Sequence, residues 1–153
     1  MAAIIGPPQG FVPPNPPRAA TLASSYGTTS TTAVSTGMGV TIATTGTSIE
    51  THGHVVANNN TAADGWTATL YRSTSAIPAQ GSAPGGSDII VYQTTRTVSS
   101  ASQNFNVGWA FLDSALTAGM TYYYYLCIQA VTGGTATAVG STNQTTLLVR
   151  NQP

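Results

Sequence analysis

Charge is what this chain has least of. Only 5% of its 153 residues are charged, and there is no lysine. Four arginines (Arg18, Arg72, Arg96, Arg150) face four acids (Glu50, Asp64, Asp88, Asp113), for a formal net charge of zero. So few cations cannot neutralise a run of phosphates, which argues against a nucleic-acid partner. Little charge also means little of the repulsion that keeps soluble proteins apart, so Thr, Ser, Asn and Gln must do the hydrating. Cysteine is nearly missing too. Cys127 stands alone, which rules out an intrachain disulfide, and its strand-like surroundings make it a small buried hydrophobe rather than a nucleophile. No window approaches the roughly eighteen apolar residues of a membrane-spanning helix. The start, MAAIIGPPQG, has neither the basic region nor the long apolar core of a secretory signal. Synthesis in the cytoplasm, with no membrane partner, is the expectation. Signatures of catalysis are also lacking: no G-x-S-x-G elbow, no Walker loop, no H-E-x-x-H, no C-x-x-C. Three of the acids have local explanations, Asp64–Gly65 as a turn pair, Asp113 ending a strand and Asp88 starting one. The chain is therefore expected to be no enzyme and to need no cofactor.

What is abundant is threonine, β-branched and suited to strands. The organising stretch is 104–131, NFNVGWAFLDSALTAGMTYYYYLCIQAV, which reads as two long strands around a turn-rich loop. In the first, Phe105, Val107, Trp109 and Phe111 alternate with Asn106, Gly108 and Ala110, the period of a half-buried strand. In the second, Tyr122, Tyr124, Leu126 and Ile128 share one face, and Tyr123, Tyr125 and Cys127 the other. Neither face suits water, so both need cover. One reading covers the second face with a loop of the same chain. The other covers it with a second subunit, for which tyrosine is fitted because its ring buries area while its hydroxyl keeps a polar contact.

Residues 1–19 are a compositional zone of their own, with six of the nine prolines between Pro7 and Pro17. Proline fixes φ and removes amide donors, so this segment should be an extended arm, largely polyproline II. It carries apolar anchors (Ile4, Ile5, Phe11, Val12) beside Pro13 and Pro14, and ends near Arg18, a composition suited to lying across a neighbour. A domain is expected over 20–153. Strands are expected at 20–26, 40–44, 47–57, 66–72, 88–95, 135–139 and 145–150 besides the two above, with a turn cluster at 58–65 and a long loop at 73–87. About nine short strands without helical periodicity predict an all-β sandwich or jelly roll.

Glu50-x-His52-x-His54 is the one cluster with metal-ligand chemistry. Alternate strand residues share a face, but neighbours on it lie nearly 7 Å apart, about twice the rise per residue, so ordinary polar surface or interface is the favoured reading and no metal is expected.

The order NNNTAADGWTATLYRS, then QNFNVGWAFLDSALTAGMTYYYYLCIQAVTGGTATA, then QTTLLVRN resembles jelly-roll domains of phage virion proteins. Those are similar to the heads of the tumour necrosis factor and complement superfamily. The resemblance spans 20–150 and rests on the Asp64–Gly65 turn, the Phe111–Asp113 segment, the pair Thr121 and Tyr122, and the Gly133–Gly134 turn. It implies a homotrimer of two five-stranded sheets, with the aromatic strand in the sheet facing the threefold axis. Tyr122, Tyr123, Tyr124 and Tyr125 would then lie in one sheet with strand 48–57, placing them with His52 and His54 at the trimer interface. No heptad or G-X-Y shaft precedes the head. A capsid decoration (cement) protein on the virion exterior, its arms gripping the major capsid protein, is therefore expected ahead of the alternative. That alternative is a receptor- or carbohydrate-binding fibre head with a host-surface glycan as partner.

Overall fold

The computed structural model describes residues 16–141 and 144–152. Ten strands are formed: β1 (Arg18–Thr21), β2 (Tyr26–Thr28), β3 (Val34–Ala43), β4 (Ile49–Asn59), β5 (Gly65–Ser73), β6 (Ile89–Thr97), β7 (Phe105–Asp113), β8 (Thr121–Ala130), β9 (Ala136–Ala138) and β10 (Thr146–Asn151). They make two antiparallel sheets. In the six-stranded sheet β4 is the spine. Its residues Ile49–Ala57 pair with β7, while β10 and then β9 share its other side and carry β1 and β2 beyond them. The four-stranded sheet runs β3-β8-β5-β6. Between β2 and β9 the chain crosses from sheet to sheet at every step except β5 to β6, and the sandwich is a jelly roll.

Alternation places the core. Trp66, Ala68 and Leu70 of β5 and Tyr122, Tyr124, Leu126 and Ile128 of β8 meet Val107 and Trp109 of β7 and Leu147 and Val149 of β10. Gly53 makes room for one of these rings, because a Cβ there would lie 2.6 Å from the Trp109 ring. The sheets are also tied by polar contacts. Arg72 of β5 reaches across to Asp113 of β7 at 2.6 Å, the Tyr124 hydroxyl donates to the same carboxylate at 2.7 Å, and the guanidinium lies over the Tyr122 ring. Burial, with the Asp113 carboxylate beside it, pushes the Tyr124 phenol far above its ordinary value.

The second face of β8 is covered by the chain itself. Residues 74–88 cross it as a strap, bonded through Ser35 N to Ser82 O and Gly81 N to Ser35 O, both 2.8 Å. Asp88 holds its far end, accepting from the Tyr125 hydroxyl at 2.5 Å and from Gly85 N at 2.7 Å. Under it Tyr125 stacks on Tyr71, and Tyr125 and Cys127 are both fully buried. Gly39 permits this close approach: a Cβ there would stand 2.6 Å from Ile77 Cδ1 and 2.7 Å from Tyr124 O.

Four expectations need correction. The aromatic strand and the 48–57 strand lie in different sheets, because β8 pairs with β3 and β5 while β4 pairs with β7, β9 and β10. The sheets hold six and four strands, not five each. The expected strand at 20–26 is two short ones, since Leu22 turns inward and its N–H bonds Thr145 O at 3.0 Å. The expected 40–44 strand starts at Val34, through an irregularity at Gly37 (φ +79°) that residue alternation does not reveal.

Two predictions follow from this packing. Gly39→Val should cost about 1–3 kcal/mol in denaturant unfolding by forcing the strap off β8. An unchanged midpoint with no binding of a hydrophobic dye would remove the strap from its role. The second concerns acid. Burial raises the Asp64 pKa, but bonds from Gly65 N, the Thr132 hydroxyl and the Thr132 and Gly133 amides outweigh it and hold the carboxyl below its ordinary 3.8. Asp88 is likewise raised by burial and lowered further by Ser73, Tyr125 and Gly85. A depressed carboxylate gives stability that is complete above its unfolded pKa and is lost as pH falls through the folded one. The melting temperature should thus hold down to about pH 4 and fall below it, less steeply in Asp64→Asn measured as a pH series.

Candidate interaction surface

Register decides what the outer face of the six-stranded sheet presents. Glu50, His52 and His54 of β4 stand opposite Leu112, Ala110 and Gly108 of β7 on one side. On the other they stand opposite Arg150, Leu148 and Thr146 of β10. The middle of this face sets His52 and His54 among small or apolar neighbours, and the charge at its end is internally neutralised. Glu50 accepts from Arg150 Nε at 2.6 Å, contacts His52 Nε2 at 2.5 Å, and is also bonded by Gln152. The Arg150 hydrogen bond leads in holding the Glu50 carboxyl below its ordinary value, against partial burial and with help from His52. His54 Nδ1 lies 3.1 Å from the Thr146 hydroxyl. Among the described residues no group of three acids, histidines or cysteines is arranged to hold a metal ion. An open pocket of about 420 Å³ is sunk at the end of this face, lined by Glu50, Ala110, Phe111, Leu112, Arg150 and Gln152.

Beside the pocket, where both sheets end, the sandwich is apolar and uncovered. Ile89 and Ile90 of β6 are 51% and 52% exposed, and Phe111 and Leu112 of β7 are 40% and 53% exposed. The Tyr92–Trp109 stack joins the two strands at 5.6 Å, and Arg72, paired with Ile89, bonds Asp113 next to Leu112. By register Ile89 and Phe111 turn toward the gap between the sheets, Leu112 faces out beside Glu50 and Ile90 faces out beside Tyr71, so the four border one edge of the sandwich from different faces. Sequence reading passed over Ile89, Ile90 and Leu112. The available signal was the break in alternation: two consecutive large apolar residues on a strand cannot both face the core.

The predicted interface residues divide. His52 and His54 are half-buried on the outer face of the six-stranded sheet. Tyr123 is half-buried on the opposite side of the sandwich, so it does not share a surface with the histidines. Tyr122 and Tyr124 belong to the core and Tyr125 to the strap, so the argument that a neighbour must cover them falls away. Arg18 is exposed at the start of edge strand β1, opposite Val149. Ile4, Ile5, Phe11, Val12, Pro13 and Pro14 lie outside the described residues.

The fold is a tumour necrosis factor-like jelly roll. Neither a protein-family model nor a curated protein matches the chain by sequence. Among solved structures, the Eiger TNF from S. frugiperda aligns over 92% of this chain and 94% of its own, at 10% identity and a TM-score of 0.50. The VP2 protein of infectious bursal disease virus, in T=1 particles of a D431N mutant, aligns over 99% of this chain at 14% identity and a TM-score of 0.47. This chain spans 40% of that one. The VP2 subviral particle gives 97% and 41% coverage, 15% identity and a TM-score of 0.47.

Tyr125→Ala should therefore cost about 3–5 kcal/mol, as for other large aromatics removed from a core. Tyr123→Ala should cost far less, and comparing the two in denaturant checks the assignment. Equal losses would contradict it.

Proposed function

We propose that this is a structural virion protein, a homotrimeric capsid decoration protein bound to the outside of a shell through its N-terminal arm. The observation that carries the reading is the uncovered apolar edge bordered by Ile89, Ile90, Phe111 and Leu112, next to a sheet face whose charges cancel within the chain. A patch of that kind on so weakly charged a protein invites protein contact. Burying it against the sheet face of the next copy is a heterologous contact, and such contacts close into rings when the rotation permits. Three copies present three arms, and linked weak contacts add through effective concentration. Shell stability then rises because the protein binds only the assembled state.

A glycan-binding head is less well supported, since Trp66 and Trp109 are both buried and neither ring is on the surface to stack on a sugar.

Ile90→Glu with Leu112→Glu should convert the protein to a folded monomer by light scattering. Removal of residues 2–9 should leave self-association intact and abolish co-sedimentation with shells of the same virus. Undiminished decoration by the truncated chain would rule out the arm as the attachment.

A further inference from the structure

Lysine and arginine are so few that each position can be followed by itself. The chain has no lysine, and its arginines are Arg18, Arg72, Arg96 and Arg150. Serine proteases of the trypsin class cut only after such a residue, because an aspartate at the base of the pocket pairs with the cation. They also need the chain around the bond to open before it can enter the active site.

Three of the four arginines are locked into the sandwich. Arg72 lies on β5 between β6 and β8, and its side chain, 13% exposed, is ion-paired to Asp113. Arg150 lies on β10 with its guanidinium held by Glu50. Beyond its bond Asn151 is buried, its side chain donating to Ala43 O at 3.0 Å and accepting from Thr45 N at 3.1 Å. Arg96 is on edge strand β6, but it pairs with the fully buried Trp66. Two residues further on, Val98 is fully buried with its N–H on Asp64 O at 2.8 Å. Opening any of these three disturbs the core.

Arg18 is placed differently. It begins β1, which has four residues and a partner, β10, on one side alone. Pro16 and Pro17 before it are exposed and outside any strand, and Pro17 has no N–H with which to continue the ladder. Arg18, Ala19 and Thr21 are exposed and Ala20 is half-buried, so lifting β1 uncovers little apolar area. The first firm anchor is Leu22, buried and with its N–H on Thr145 O at 3.0 Å. A short edge strand of this kind opens far more readily than the strands behind it.

We propose that the Arg18–Ala19 bond is a cleavage site for an arginine-specific serine protease, the one bond at which such an enzyme separates residues 1–18 from a domain that stays folded. The protease serine attacks the Arg18 carbonyl, and Ala19 leaves as a free amine carrying the serine's proton. Water then releases Arg18 as a carboxylate and restores the serine. The site stands independently of the proposed function. Where the arm is the attachment, the cut frees the domain from its shell.

The test is brief digestion of the native full chain with trypsin at neutral pH, read by intact mass. A single cut is expected, leaving residues 19–153 with a thermal unfolding transition. Arg18→Gln should abolish that cut, and Arg96→Gln should leave its rate unchanged. A first cut after Arg72, Arg96 or Arg150 overturns the proposal, as does no cut in the time that a denatured sample is digested. So does a fragment 19–153 without an unfolding transition, because β1 would then be needed to hold the fold. Digestion of decorated shells keeps the two readings apart: a cut domain that stays on the shell upholds the cleavage site and refutes the arm as attachment.

Discussion

A central strand with no face fit for water is the constraint from which the rest of the molecule follows. β8 carries Tyr122, Tyr124, Leu126 and Ile128 toward the core and Tyr125 and Cys127 away from it, and all six are buried within one chain. The outward cover is a loop, not a subunit. For a loop to lie that close, the sheet beneath it must be thin, which is why Gly39 stands opposite Tyr125 and why Ile77 rests there. Because loop backbone cannot be buried without partners, the strap bonds into β3 and its far carboxylate takes the tyrosine hydroxyl.

With the outward face of β8 shielded in this way, the uncovered apolar residues lie at the edge strands, β6 of one sheet and β7 of the other. Much of the sparse charge is spent internally. Asp113 and Arg72 join the sheets, Asp64 pins a turn, Asp88 anchors the strap, and Glu50 with Arg150 neutralise each other on the outer face. What remains at the β6–β7 side is aliphatic and aromatic. So weakly charged a protein leaves four large apolar side chains uncovered along that edge.

The strands of the second half were legible from alternation, because a half-buried strand writes its burial with period two. Val107 and Trp109 of β7 are buried between exposed Gly108 and Ala110. Strand β3 was half missed, since its small residues and the Gly37 irregularity break that period. The shared sheet assigned to β4 and β8 failed for another reason: pairing is a property of two strands, and nothing in either one names its partner. The residues assigned to one interface are thereby separated, with Tyr122, Tyr124 and Tyr125 buried and Tyr123 on the side away from His52 and His54. Tyrosine can serve a core, a loop contact or a neighbour equally well, and its composition does not distinguish them.

By itself, then, the sequence determined the all-β class, the strand-rich domain and the need to cover both faces of the tyrosine strand, because these depend on side-chain chemistry and local period alone. Only the tertiary structure decided what does the covering, which sheet each strand joins, and where the apolar side and its pocket lie. Those are matters of which distant segments meet, and a strap reaching β8 from forty residues away leaves no periodic trace in the strand it protects.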